Sequence, residues 1–285
     1  MATWFFASDL HGDPRRYRTL FERIAAEQPA AVLLGGDLLP STSLGTFDPA
    51  RESFVDDFLV ARLTRLRATL GDRYPRIALI LGNDDPRIFE ASFLAAAAQG
   101  VWEYANQRCT QIAGVDVYGY ACVPPSPFRL KDWECYDVSR YVDPGCVSPE
   151  EGLRTIPIPP EQTRYRTIAE DLERLAAGRD MADAVLLAHA PPYRSHLDRA
   201  ALDGRFVDHV PIDVHVGSIA IRRFIEERQP RAGLHGHIHE SARLTGYWRE
   251  QIGRTWCMTA AHDGPELALI RFDPAAPEGA TRELL

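Results

Sequence analysis

Lysine is almost missing from this 285-residue chain: Lys131 is its single lysine, and arginine supplies the rest of the 32 basic residues. That bias reflects genome composition rather than function. A basic excess is missing too. The formal net charge is -8, which argues against a binder of nucleic-acid backbones, because such a protein shows a basic face. No apolar run reaches the length of a membrane span, and Met1–Ala7 is too short and lacks the basic start of a signal peptide. Cys-x-x-Cys does not occur. The five cysteines, Cys109, Cys122, Cys135, Cys146 and Cys257, are odd in number, so reduced thiols in a cytoplasmic protein are expected. There is no internal repeat and no low-complexity tract. What is present is ordinary for a globular protein, 45% hydrophobic and 25% charged, with length enough to bury a large core.

The pattern of apolar residues gives the order of elements. Thr3 to Ala7 reads as a buried strand, followed by a helix with Asp13 as N-cap, Pro14 in its first turn, and Tyr17, Leu20, Phe21 and Ile24 on one face. Ala30 to Leu34 is a second strand, Phe54 to Leu70 a longer helix, and Ile77 to Leu81 a third strand. Such alternation marks a parallel sheet with helical crossovers. Gln111 to Tyr118 suggests a hairpin turning at Ala113-Gly114. Later strands are expected at Ala184 to Ala188, Pro230 to Leu234, Trp256 to Thr259 and Leu267 to Phe272, with a helix around Ile168 and another capped by Ser218. The tail from Pro274 reads as loose.

Between Cys122 and Pro160 the chain is dense in proline. It also carries Phe128, Trp133, Tyr136 and Tyr141, an aromatic content that speaks against disorder. A long irregular segment of this kind is usually a lid or binding loop. We therefore expect one domain over residues 1–285 with an ordered insertion at about 122–160.

Polar residues collect where the strands end. Asp9 and His11 follow the first, Asp37 the second, Asn83 the third, His189 the Ala184–Ala188 strand, and His237 with His239 the Pro230–Leu234 strand. In extended backbone, residues i and i+2 share a side, so Asp9 with His11 and His237 with His239 can converge pairwise. In open α/β sheets the site lies beyond the carboxyl ends of the strands. These residues exceed what one tetrahedral ion needs and suit two, with Asp37 able to bridge. Oxygen and imidazole without thiolate suits manganese, iron or zinc.

In this order the motifs resemble the calcineurin-like metallophosphoesterases: Asp9-Leu10-His11, Gly36-Asp37, Gly82-Asn83-Asp84-Asp85, His189 and Gly236-His237-Ile238-His239. They extend from Asp9 to His239 and so cover most of the chain. The resemblance implies an α/β fold, a four-layer αββα sandwich of two mixed β-sheets flanked by helices. It also implies two divalent ions, one held by Asp9, His11, Asp37 and His239, the other by Asp37, Asn83, His189 and His237. The variant with His-Ala-Pro-Pro is similar to uncharacterised prokaryotic members.

The expected chemistry is hydrolysis of a phosphomonoester or phosphodiester by a metal-bridging hydroxide. Two divalent ions, two aspartates and that hydroxide leave the site at roughly +1, enough to draw a phosphate into an acidic protein. Metals about 3.5–4 Å apart stabilise both the attacking and the leaving oxygen. One departure stands out. The family places a histidine between the asparagine and the aspartate, where it assists the leaving group; here Asp84 stands there, and an ionised carboxylate is a poor acid. Asp84, Asp85 and His215 are therefore the candidate catalytic residues. Arg129, Lys131 and Trp133 are candidates for substrate contact, the cations for phosphate oxygens and the indole as a cover. The expected partner is a small-molecule phosphate ester. The rival readings are a non-catalytic metal-binding scaffold of the same fold, which would be expected to lose ligands, and a nuclease, which the acidic balance weakens.

Overall fold

The computed structural model describes residues 3–41 and 54–285. In chain order it runs β1 (Trp4–Ala7), α1 (Pro14–Glu27), β2 (Ala31–Gly35), α2 (Ala61–Leu70), β3 (Arg76–Ile80), α3 (Glu90–Ala98), β4 (Glu103–Tyr104), β5 (Arg108–Ile112) and β6 (Val115–Tyr120). After the proline-dense segment come α4 (Pro160–Tyr165), α5 (Ile168–Ala176), β7 (Val185–Ala188), β8 (Phe206–Val207), β9 (Val210–Pro211), α6 (Ile219–Arg228) and β10 (Ala232–His235). The chain finishes with α7 (Ser241–Thr245), β11 (Arg249–Ile252), β12 (Thr255–Thr259), β13 (Ala268–Asp273) and β14 (Ala276–Leu284).

Two six-stranded mixed sheets form, ordered β14-β13-β1-β2-β3-β4 and β11-β12-β10-β7-β6-β5. In the first, β1, β2, β3 and β4 are parallel and β13 runs antiparallel to β1. In the second, β6, β7, β10 and β12 are parallel, with β5 and β11 antiparallel at the edges. The sheets pack face to face, β2 against β7 and β3 against β5 and β6. On the outside of the first sheet, Leu20 and Ile24 of α1 and Leu63 of α2 meet Val32, Leu34 and Leu79. Helices α5 and α6 pack on each other beside the second. A strand covered on both sides must be apolar throughout, and β1, β2, β7 and β10 are buried at every position.

Local chemistry explains the helix starts. Asp13 accepts the Arg15 N–H at 2.8 Å, and Pro14 opens α1 without losing a bond. Ser218 accepts the Ile221 N–H at 3.0 Å. Asp137, from the proline-dense segment, also reaches that helix end and accepts the Ile219 N–H at 2.7 Å. The segment is thus fastened to α6 by a carboxylate at a helix N-terminus.

The tail differs from expectation. Residues from Pro274 form no loose end: after a turn, β14 pairs antiparallel with β13, Ala268 opposite Leu284 and Arg271 opposite Thr281. Pro277 masks this strand in the sequence, but β14 is a sheet edge, where a missing N–H costs no ladder bond. All five cysteines are free. Among the described residues no helix is long and apolar enough to cross a membrane.

Candidate metal centre

The polar residues that follow the strands meet at one rim. His189, beyond β7 of the second sheet, lies with its Nε2 3.3 Å from Asp37 Oδ2, beyond β2 of the first. His239, beyond β10, places Nε2 3.3 Å from Asp9 Oδ1. The turns that deliver these groups are sharp. Asp9, His11, Asp37 and His237 all have left-handed backbone, with φ of 55°, 46°, 52° and 72°. Aspartate and histidine tolerate that region better than most residues, yet it carries strain of a kind that clusters at functional sites. Gly82 shows how tight the approach is: a Cβ there would lie 2.3 Å from Asp37 Oδ1 and 2.6 Å from His189 Nε2.

Asp9, His11, Asp37 and His239 each offer a ligand atom within 4.8 Å of the others. Within that group His11 Nε2 stands 3.1 Å from His239 Nε2 and 3.9 Å from Asp37 Oδ2. A second group adjoins it. His189 Nε2 lies 3.1 Å from Asn83 Oδ1, and the His237 ring centre is 5.3 Å from that of His189. Asp37 belongs to both groups.

The imidazoles are held from behind. His189 Nδ1 donates to the Gly35 carbonyl at 2.7 Å, which leaves Nε2 to face Asp37 and Asn83. His11 Nδ1 faces Ser41 Oγ at 2.9 Å and Asp84 Oδ2 at 3.3 Å, which likewise frees Nε2. Asp9 takes the Ser8 hydroxyl at 2.5 Å and the His237 N–H at 3.0 Å. Outer contacts of this type fix tautomer and orientation in metal sites. What converges is carboxylate, amide and imidazole around one point, two buried aspartates among them, and such a set favours cationic charge, carried by protons on the imidazoles or by bound metal ions. The electrostatics agree. Burial alone would lower His11 and His189, but the surrounding aspartates raise both to about 9. Burial would raise Asp9 and Asp37, yet the neighbouring imidazoles hold both below the usual carboxylate range. A donor set of carboxylate, amide and imidazole fits divalent ions.

A cavity of about 1120 Å³ opens from these residues. His11, Asp37, Asn83, Asp84, His215, His237 and His239 all line it. His215 Nδ1 lies 2.8 Å from Asp198, a fully buried carboxylate that also accepts the N–H groups of Arg194, Ser195 and Gly217. Sequence reading missed Asp198, Ser8 and Ser41. Only Ser8 adjoins a motif; nothing in the spacing of Asp198 and His215 marks them as a pair.

Other expected residues stand elsewhere or do other work. Asp85 is fully buried and accepts the N–H groups of Leu38, Leu39 and Gly82. It braces the Asp37 and Asn83 loops and has no face toward the cavity. Asp84 does reach the cavity, but its carboxylate is turned to His11 and to the Ser41 hydroxyl. Lys131 and Trp133 are buried. Lys131 pairs with Glu134 and with the Ser126 carbonyl, and the Trp133 indole donates to the Asp85 carbonyl at 2.7 Å. Arg129 is exposed, and none of Arg129, Lys131 and Trp133 lines the cavity. The expectation of substrate contact fails for the two buried residues because each spends its polar atoms on holding the segment together. His235 is buried against the carbonyls of Ala188 and Ala190, and His262 pairs with Glu266.

Comparison with known proteins follows the same line. A family profile described as calcineurin-like phosphoesterase matches residues 4–241. Two crystal structures each align over 99% of this chain and 98% of their own at 16% identity, with TM-scores of 0.59 and 0.57; the second is TT1561 of Thermus thermophilus. A structure described as a novel archaeal phosphodiesterase aligns over 99% of both chains at 9% identity, with a TM-score of 0.43. At 16% identity the likeness to the first two speaks to fold alone. No curated protein matches the chain.

Proposed function

The chain belongs to the calcineurin-like phosphoesterase family and is thereby a hydrolase of phosphoric ester bonds, and from that premise we propose that it works with two divalent cations, bridged by Asp37, on a small phosphate ester. The observation that carries this reading is the convergence of His11 Nε2, His189 Nε2 and the Asp37 carboxylate, with His189 Nδ1 committed to a backbone carbonyl. Asp9, His11, Asp37 and His239 would hold one ion, and Asp37, Asn83, His189 and His237 the other. Bound there, such ions would supply Lewis-acid charge for phosphoryl oxygens and a water activated near neutral pH.

The remaining work falls to the chain's own side chains. Asp84 acts as the orienting partner of His11, which accounts for a carboxylate where a proton donor would otherwise stand. His215 is the proton donor to the leaving oxygen: Asp198 takes its Nδ1–H, so Nε2 is the nitrogen left to exchange a proton. Residues 122–160 serve as a cover, since Phe128, Leu130 and Val138 line the same cavity as the candidate metal ligands. The test is a panel of phosphomonoesters and phosphodiesters assayed with manganese, iron and zinc in turn. Hydrolysis should require added metal and vanish in Asp37→Ala. Hydrolysis that survives exhaustive chelation would defeat the reading.

A further inference from the structure

The cavity that opens from the metal residues is larger and more apolar than a phosphate group needs. At about 1120 Å³ it is somewhat larger than the usual range of small-molecule sites, roughly 300–1,000 Å³. Away from the metal ligands its wall is built by two stretches of chain. The proline-dense segment supplies Phe128, Leu130, Val138 and Leu153, and the loop before α6 supplies Leu202 and Ile212. Several apolar side chains at the rim are left in water: Phe128 is 62% exposed, Tyr141 67% and Leu153 43%. Grouped exposure of this kind marks a ligand groove.

Charge along the wall narrows the choice of ligand. Among the described residues Arg154 is the one arginine or lysine lining the cavity, against carboxylates at Asp84, Asp137, Asp143, Asp213 and Glu240. A polyphosphate or nucleic-acid strand would place further anions along an acidic wall with one guanidinium to meet them. A hydrocarbon tail meets no such cost and gains from leaving water.

Resting on the phosphoesterase reading above, we propose that the ester hydrolysed here is amphiphilic, with its phosphate at the metal residues and an alkyl, acyl or isoprenoid chain along the cavity between residues 128–153 and 202–212. The chain's burial ranks substrates, and the metal residues contact the phosphate alone. A soluble alkyl phosphate and a membrane lipid would both carry such a chain.

The test uses the full-length, metal-loaded protein and n-alkylphosphonates of two to twelve carbons, kept below their micellar concentrations. Their inhibition of 4-nitrophenyl ester hydrolysis gives one readout, and calorimetric binding gives another that needs no turnover. Affinity should rise about two- to fourfold per methylene until the cavity is filled. Phe128→Ser with Leu153→Ser should flatten the series, and Tyr165→Ser, exposed but off this cavity, should leave it unchanged. Affinity independent of chain length overturns the proposal, as does an equal slope in the Phe128→Ser, Leu153→Ser protein. A flat series with normal hydrolysis of the small ester defeats the apolar-chain assignment alone. A steep binding series with no hydrolysis of any ester supports it and defeats the phosphoesterase reading instead. Lipid phosphates presented in phosphatidylcholine vesicles then separate the sources: turnover there points to a membrane lipid, and turnover of the monomeric ester alone to a soluble one.

Discussion

Replacing His215 by alanine should slow the enzyme according to the leaving group of its substrate. His215 Nδ1 is 2.8 Å from Asp198 Oδ1, and Asp198 is itself held by the N–H groups of Arg194, Ser195 and Gly217 at 2.9, 3.0 and 3.2 Å. The imidazole is therefore fixed on the cavity wall with Nε2 as the exchanging nitrogen. General-acid help contributes typically 10²–10⁴-fold, or about 3–5 kcal/mol of barrier. An alkoxide leaving group needs that help, whereas a 4-nitrophenolate needs little. His215→Ala should thus lower kcat by roughly 10²–10⁴-fold on alkyl esters and by less than about tenfold on 4-nitrophenyl esters. The assay is a series of aryl and alkyl esters of graded leaving-group basicity, and the variant should show the steeper dependence. Asp198→Asn should move in the same direction, because an amide can donate to Nδ1 and reverse the tautomer. Asp84→Ala should instead weaken metal binding through His11 and leave the dependence as it was. Equal loss on all esters in His215→Ala would refute the assignment.

Gly82→Ala should fold but cost about 10²-fold in activity and reduce metal content, because the new Cβ would press on Asp37 and His189, and a displacement near 1 Å at a reacting centre is worth that much; metal analysis beside kcat checks it, and unchanged values would contradict the packing argument. Lys131→Met leaves Glu134 buried without its partner and should destabilise in chemical denaturation most at alkaline pH, where Glu134 would be ionised, by up to about 3–5 kcal/mol, with Lys131→Met, Glu134→Leu recovering much of the loss. Burial pushes Glu134 from 4.5 up to about 7 despite Lys131. Between those pH values the folded state therefore holds a proton there that the unfolded chain releases, and this group's stabilising contribution is full below pH 4.5 and lost as pH rises through 7. Glu134→Gln should flatten that part of the stability profile.

The cluster of candidate ligands was legible in the sequence because its polar residues sit at strand ends. The buried runs before Asp37, Asn83 and His189 say where each strand stops, but the expected pairing of side chains two apart along extended backbone does not hold: Asp9, His11 and His237 are left-handed, and His237 lies by His189 while His239 lies by Asp9 and His11. The parallel sheet and the capped helices at Pro14 and Ser218 followed from local rules that the tertiary fold did not override. Position in a motif did not reveal function. Asp84 and Asp85 are adjacent, yet one turns to His11 and the other braces backbone N–H groups. Lys131 and Trp133 suggested substrate contact by residue type, and only packing shows that Glu134 and the Asp85 carbonyl consume their polar atoms. The Asp198–His215 contact joins positions 17 apart across the short β8–β9 hairpin, where no periodicity exists to read. Strand β14 escaped notice because its proline obeys the rule for edges, and edges are a property of the sheet.

The most direct test of the central claim is metal stoichiometry. The protein, stripped by chelator and dialysed against manganese, should bind two ions per chain by elemental analysis. Asp37→Ala should fall below one, and His189→Ala should retain one while losing hydrolysis. A wild-type protein that saturates at one ion, or an Asp37→Ala protein that still holds two, would contradict the account.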